Sequence, residues 1–176
     1  MGRSDSISFF MMPSHKPIRV LFVCLGNICR SPSAEIIFKH LVSRQNLSSQ
    51  IISDSAGIIE YHRGSSPDAR MLTALKNYGY TDPGLKARPV TFRDLSDFDY
   101  IIPMDYQNLR DLSDMDSRGR YTEKFLPMCN FTESFTDTEV PDPYYGGTDG
   151  FNHVVELLEE TCANLLEFIK SKHSLS

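Results

Sequence analysis

One stretch limits what this chain can fold into. The apolar, β-branched run Ile18 to Val23 follows Pro17 and stops at Cys24; five residues later come Arg30, Ser31 and Pro32, and then residues at helical spacing. A short buried strand, a tight loop and a helix start account for that order. The loop carries a thiol at one end and a guanidinium at the other. Read from the residues alone, it is an anion-binding loop with a nucleophile inside it.

The remaining chain repeats the strand–helix alternation. Ser33 to about Ser43 reads as a helix, with Ile36, Ile37, His40 and Leu41 at helical spacing. A second strand begins at Ile51-Ile52 and ends at Asp54-Ser55-Ala56-Gly57. Ser66-Pro67-Asp68 opens a helix, with Ser66 as cap and proline in first position; Met71, Leu72, Leu75 and Tyr78 give its repeat and Gly79 stops it. Asp82-Pro83-Gly84 is a turn, and Thr91 caps a short helix over 92–97. A third strand covers Tyr100 to Met104, with Pro103 making its last part irregular or exposed. A helix runs from Asp105 to about Leu112, a fourth strand from Lys124 to Met128, and the longest helix from Asp149 to Lys170. The expected fold is therefore α/β: a three-layer sandwich with a parallel sheet and helices on both faces. In such sheets ligands bind beyond the carboxyl ends of the strands, where the loop after the first strand lies.

Composition narrows the function classes. A chain of 176 residues suits one domain with a core of its own, here 17–176. Residues 1–16 read as a disordered leader. Within it, Met1-Gly2 followed by Ser6 fits a myristoylation pattern, but so does chance, or a true start at Met11 or Met12. A net charge of -5 offers no general attraction to nucleic acid or anionic lipid, so an anion site has to be local. No apolar run reaches membrane-spanning length. The 4 cysteines include no Cys-x-x-Cys pair, and no secretory signal precedes them, which points to a reducing cytoplasm. The 5 histidines are scattered without metal-ligand spacing, so no metal or cofactor is expected. Glu156, Glu159 and Glu160 read as a wet helical face, His153 as solvated or half-buried, and Arg118 and Arg120 as surface charge.

The chemistry of the loop follows from its parts. Successive backbone N–H groups turned inward make an anion nest. Gly26 removes side-chain bulk. Arg30 offers a planar fork for two phosphate oxygens. There is no Gly-Lys-Ser/Thr ending, so this is not a nucleotide P-loop. A thiol in such a nest ionises more readily than a free cysteine. A drop in thiol pKa from about 8.5 to about 5.5 raises the thiolate fraction at neutral pH roughly thirty-fold. A Brønsted slope of about 0.4–0.5 then removes roughly sixteen- to thirty-fold in nucleophilicity. The two nearly cancel, so the loop has to act mainly by binding the phosphoryl group and stabilising charge in the transition state. A buried structural cysteine beside a surface arginine explains either residue alone, but not their spacing at the end of a strand.

Phosphoryl transfer from an aryl ester also needs a proton for the leaving oxygen. Asp142, between Pro141 and Pro143 and followed by Tyr144, Tyr145, Gly146 and Gly147, is the best candidate. The prolines stiffen it, and the paired tyrosines suit the walls of an aromatic pocket. An ordinary surface turn is the competing reading of that segment taken alone.

Together these motifs resemble the low-molecular-weight protein tyrosine phosphatases over roughly residues 18–170. The resemblance rests on Val-Cys-Leu-Gly-Asn-Ile-Cys-Arg-Ser-Pro at 23–32, Asp-Ser-Ala-Gly at 54–57, Met-Asp-x-x-Asn-Leu at 104–109 and Asp-Pro-Tyr-Tyr-Gly at 142–146. It implies a four-stranded parallel sheet and a phosphotyrosine phosphatase that also takes small aryl phosphates. Cys24 is then the nucleophile, Arg30 the phosphate clamp and Asp142 the general acid, with Leu25, Gly26, Asn27, Ile28 and Cys29 completing the phosphate-binding loop. A phosphocysteine intermediate forms, and water activated by Asp142 releases phosphate. The same resemblance makes Asn27 and Ser55 braces of the loop, Ser31 a support for the cysteine sulfur, and Asp105 a support from behind. Where the family usually partners that aspartate with histidine, this chain has Leu85; Tyr61 stands where tryptophan is frequent, at the rim with Tyr144 and Tyr145. Cys29 is either a space-filling residue or a partner that forms a disulfide with oxidised Cys24; the resemblance favours the second. The expected partners are phosphotyrosine proteins or small aryl phosphates, with no nucleic acid, no membrane and a monomeric chain.

Three alternatives are open. A phosphoarginine phosphatase shares the fold, but related arginine phosphatases place threonine where this chain has Ile28. An arsenate reductase needs a relay of further cysteines, and Cys129 and Cys162 have no obvious pairing. A silent phosphotyrosine-binding module would not need both Cys24 and Asp142.

Overall fold

A computed structural model describes residues 15–176. The leader read at 1–16 and its myristoylation pattern fall almost wholly outside the described residues. Strand β1 (Ile18–Cys24) lies at the centre of a parallel sheet, with β2 (Ile51–Gly57) on one side and β3 (Tyr100–Pro103) on the other. The register runs Ile18 to Cys24 against Ile51 to Gly57, and Val20 to Val23 against Tyr100 to Pro103.

The period-two alternation of β1 separates two cores. Val20, Phe22 and Cys24 face one, with α1 (Arg30–Arg44), α2 (Ala69–Asn77) and α5 (Thr148–His173); Leu21 and Val23 face the other, with α3 (Phe92–Asp97) and α4 (Tyr106–Met115). Both faces of β1 are covered, which is why its sequence reads as a continuous apolar run rather than an alternating one. Phe22 meets Phe38 of α1 edge-on, with ring centroids 5.4 Å apart.

The sheet has three strands, not the four expected. Lys124 to Met128 does not form a strand. Phe125 makes one isolated bridge to Ile101, with Leu126 N–H donating to the Ile101 carbonyl at 3.0 Å, and 3-10 turns flank it at Thr122–Lys124 and Met128–Phe131. Pro127 stops the ladder: it has no N–H to donate, and its φ of -54° turns the chain into the second 3-10 turn. Pro103 also departs from expectation. It is buried and in register with Val23 as the last residue of β3, where an edge strand tolerates a missing donor.

The starts of α3 and α4 agree with the sequence. Thr91 and Asp94 form a reciprocal capping box on α3, and Asp105 and Asn108 form another on α4. In α2 the cap is Asp68, which accepts the Arg70 N–H, not Ser66; Pro67 therefore lies before the helix rather than in its first turn. Gly79 ends that helix region with φ +91°.

The acidic face of α5 is not simply wet. Glu159 accepts the Tyr80 hydroxyl at 2.7 Å, Glu156 accepts the Tyr78 hydroxyl, and Glu160 accepts the amides of Glu133 and Ser134. Those carboxylates tie α5 to the end of α2 and to the loop after the second 3-10 turn. His153 bonds Asp137 at 3.0 Å. Among the described residues no helix is long and apolar enough to cross a membrane.

Candidate active site

The central strand delivers Cys24 to the carboxyl edge of the sheet, between β2 and β3. The chain then has to turn from strand to helix in five residues. It does so with Asn27 in the left-handed region, at φ +57°, a conformation that asparagine tolerates better than most residues. Asn27 is held there on three sides. Its Nδ2 donates to Ser31 Oγ at 2.8 Å and to Ser55 Oγ at 3.0 Å, and its Oδ1 accepts the Arg88 backbone N–H at 3.0 Å.

The bracing continues inward. Ser55 Oγ donates to Glu35 Oε1 at 2.7 Å, and Glu35 also meets Lys39. Burial raises the Glu35 pKa, with the Lys39 and Ser55 bonds working against that rise. Gly57 completes the support: a Cβ there would sit 2.9 Å from the Leu25 carbonyl and 3.0 Å from the Gly26 carbonyl carbon. Only glycine lets the end of β2 pass that close to the loop backbone.

Ser31 lies 3.0 Å from Cys24 Sγ. Since Asn27 supplies the hydrogen in the Asn27–Ser31 bond, the Ser31 proton can point at the sulfur, with the Ala56 carbonyl a longer alternative at 3.4 Å. Among the described residues, none of the amides of Leu25 to Cys29 donates to a protein acceptor. Helix α1 begins directly after them at Arg30, with no side-chain cap and no acidic residue in its first turn. The positive end of a 15-residue helix and a set of free amides thus meet at one loop.

Arg30 is almost wholly buried and its Nη1 is fully used. It donates to Asp105 Oδ2 at 2.7 Å and to the Val140 carbonyl at 3.0 Å, while Nη2 lies 3.5 Å from Asp142 Oδ2. Burial opposes the Arg30 charge, but Cys24, Asp105 and Asp142 outweigh it and raise its pKa. Asp105 serves two ends with one carboxylate. Oδ2 takes Arg30 and Oδ1 caps α4 through the Asn108 N–H at 2.7 Å. The direct Arg30 contact thus gives the Asp105 carboxylate a charged partner.

A cavity of about 360 Å³ opens over the loop. Cys24, Leu25, Gly26, Ile28, Cys29 and Arg30 form its floor, and Asp142, Tyr61, Tyr144 and Tyr145 stand around it. Asp142 comes to the cavity from 112 residues beyond Arg30. Its Oδ1 accepts the Tyr144 N–H at 3.1 Å. Asn27, Ser31, Ser55 and Asp105 stand behind the floor rather than on it, bonded to it as described. Cys29 belongs to the floor as a protonated thiol: burial first, then the charges of Asp68, Cys24 and Asp142, push its pKa up to about 12.

Sequence reasoning missed several participants. Ile59 and His62 also line the cavity. His62 packs on Gly26, where a Cβ would come within 2.9 Å of the imidazole, and it stands edge-on to Tyr61 at 4.8 Å. Glu35 and Arg88 brace the loop from behind. Glu35 had a readable signal, a charged residue inside an otherwise apolar helical stretch; Ile59, His62 and Arg88 had none.

A family profile described as low molecular weight phosphotyrosine protein phosphatase matches residues 19–175. The protein slr0328 of Synechocystis sp. is 49% identical over 149 residues, covering 85% of this chain and 94% of its own. The low molecular weight protein-tyrosine-phosphatase YfkJ of Bacillus subtilis is 41% identical over 158 residues, covering 90% of this chain and 99% of its own. The crystal structure of YfkJ superposes with a TM-score of 0.84, covering 90% of this chain and 98% of that one. That of the Drosophila arginine phosphatase DARP superposes at 0.80, with 36% identity over 87% of this chain and 98% of that one. This chain belongs to the low-molecular-weight phosphotyrosine protein phosphatase family, and with it to the cysteine-based phosphatases.

Proposed function

We propose that the protein removes phosphate from phosphotyrosine and small aryl phosphates, with Cys24 as nucleophile, Arg30 as phosphate clamp and Asp142 as acid and base. One observation carries this reading: Cys24, Arg30 and Asp142 line a single cavity although the last is remote in sequence. The dianion sits on the free loop amides, in front of the α1 N-terminus. Arg30 Nη1 is committed to Asp105 and Val140, which leaves the Nε–Nη2 edge for two phosphate oxygens.

The Cys24 thiolate attacks phosphorus in line with the ester oxygen. The S–P bond forms as the P–O bond to the aryl group breaks, and the Asp142 carboxyl gives its proton to the departing oxygen. The resulting Asp142 carboxylate takes a proton from water as that water attacks phosphorus. The S–P bond breaks, phosphate leaves and the thiolate is restored. Ser31 steadies the sulfur in both steps, and Asn27 and Ser55 keep the loop amides converged on the phosphoryl oxygens.

Tyr61, Tyr144 and Tyr145 supply aromatic walls for a planar leaving group. Ile28, an apolar side chain on the cavity floor, disfavours a phosphoarginine substrate. Cys29 serves as redox partner: peroxide oxidises Cys24 to the sulfenic acid, the Cys29 thiol condenses with it, and water leaves as the disulfide forms.

The deciding experiment compares wild type, Cys24→Ser and Asp142→Ala on p-nitrophenyl phosphate, then screens phosphotyrosine, phosphoserine and phosphoarginine peptides. Turnover surviving in Cys24→Ser overturns the mechanism. Preference for phosphoarginine overturns the substrate assignment.

A further inference from the structure

Arg70 lies in the first turn of α2 and is exposed, outside every motif that defines the site. Its surroundings connect the two halves of the cavity. Its guanidinium makes two bonds to Asp68, Nε to Oδ1 at 3.1 Å and Nη2 to Oδ2 at 2.8 Å. The backbone N–H of Asp68 donates to the Ile28 carbonyl at 2.8 Å, so this pair is fastened to the phosphate loop. The other side of the guanidinium meets aromatic rings. Its central carbon is 4.8 Å from the Phe151 ring centroid and 5.3 Å from that of Tyr144. Phe151 is buried in the core at the start of α5, whereas Tyr144 belongs to the exposed acid segment.

We propose that Arg70 is a positioning residue for the proposed acid: it holds the Tyr144 ring, and through it Asp142, over the phosphate loop. The link from Tyr144 to Asp142 is short. The Tyr144 N–H donates to Asp142 Oδ1, so moving Tyr144 turns the carboxylate. The two tyrosines differ as this strap requires. Tyr144 is 38% exposed, while Tyr145, standing edge-on to it with no guanidinium over its ring among the described residues, is 94% exposed. The planar fork makes this arrangement specific to arginine, since it binds Asp68 through its edge and the rings through its faces. Arg70 in turn holds the Asp68 carboxyl below its ordinary pKa, keeping the pair charged across the neutral range.

This proposal rests on Asp142 being the acid, and the test separates the two claims. Measure kcat/KM on phenyl phosphate, whose leaving oxygen needs a proton, and on p-nitrophenyl phosphate, whose leaving group departs without one. Use wild type, Arg70→Ala, Tyr144→Ala, the double variant and Asp142→Ala, with thermal unfolding to confirm that each is folded. Arg70→Ala is expected to lose about fivefold on phenyl phosphate and less than about twofold on p-nitrophenyl phosphate, the scale of a single exposed cation–π contact. In the double variant, Arg70→Ala should add nothing to the loss from Tyr144→Ala. Equal losses on the two esters, or fully additive losses, overturn the strap while leaving Asp142 as acid if Asp142→Ala alone discriminates between the esters. If Asp142→Ala does not discriminate, both claims fall.

Discussion

The two loops that meet at the cavity are built in opposite ways. The loop from Cys24 to Arg30 is anchored: Leu25 is exposed, but Cys24, Asn27 and Arg30 are each only 3% exposed, and Asn27, Ser31, Ser55 and Glu35 are linked by hydrogen bonds behind it. The acid segment is open. The Asp142 side chain is 41% exposed and leans on a turn fixed by Pro143 and by the Gly146 N–H to Pro143 carbonyl bond of 3.0 Å. The physical demands differ accordingly. A site for a dianion needs fixed donors that do not reorganise during reaction. A group that handles a leaving group, and later a water, has to admit both. The contrast predicts that changes in the first loop cost both stability and rate, and changes in the second cost rate alone.

The largest effect is expected from Cys24→Ser, which should lower kcat/KM by about 10⁴-fold or more on any aryl phosphate. Next, Asp142→Ala should cost about 10²- to 10⁴-fold on phenyl phosphate and less on p-nitrophenyl phosphate. Its unfolding free energy should stay within about 0.5 kcal/mol of wild type, since the carboxylate is half in solvent. A large stability loss in that variant would break the contrast between the loops.

Asn27→Ala should destabilise by about 2–4 kcal/mol in urea titrations, since it puts alanine at positive φ and strips partners from Ser31, Ser55 and the Arg88 amide. Gly57→Ala should cost about 1–3 kcal/mol through its clash with the loop backbone. Gly146→Ala in the acid segment should cost no more than about 0.5 kcal/mol, because its nearest neighbour is the Pro143 carbonyl at an ordinary 3.5 Å. Equal costs at the two glycines would show that the loops are equally constrained.

The smallest effect sits behind the phosphate loop. The Glu35 pKa is raised in the folded state, so the folded protein binds that proton more tightly than the unfolded chain. The stability linked to it is fully present below the ordinary glutamate value and is lost as pH rises through the raised one. Glu35→Gln should therefore gain on wild type as pH rises from about 4 to 7, measured as the difference in unfolding free energy. A difference that stays flat or reverses would mean that Lys39 and Ser55 fully offset burial. Cys29→Ser tests a separate property of the same loop. It should stay inactive when thiol is added after peroxide, whereas wild type recovers; full recovery of the variant would remove the protective role of Cys29.

Much of this could be read in the chain because its signals are local. The apolar run ending at Cys24, the Thr91 cap and the helix start near Asp105 each depend on residues a few positions apart, and each appears close to where it is expected. The fourth strand failed because Lys124 to Met128 looks strand-like by composition, while Pro127 removes the donor that a ladder needs. The α5 carboxylates misled for the opposite reason: a charged helical face gives no sign that tyrosines 78 and 80 will be folded against it.

By itself the sequence determined the loop from Cys24 to Arg30 as a strand-to-helix turn, because strand end, glycine, arginine and helix start are covalently close and their spacing is the geometry. It also marked Asp142 as a candidate, through the prolines and tyrosines that flank it. What only the tertiary structure decided is the closing of Asp142 and Arg30 onto one cavity, the support of Arg30 by Asp105, and the burial of Glu35 behind Ser55. Those contacts join residues tens to more than a hundred positions apart, and they exist only once the two cores have packed against β1 and set the distances between its neighbours.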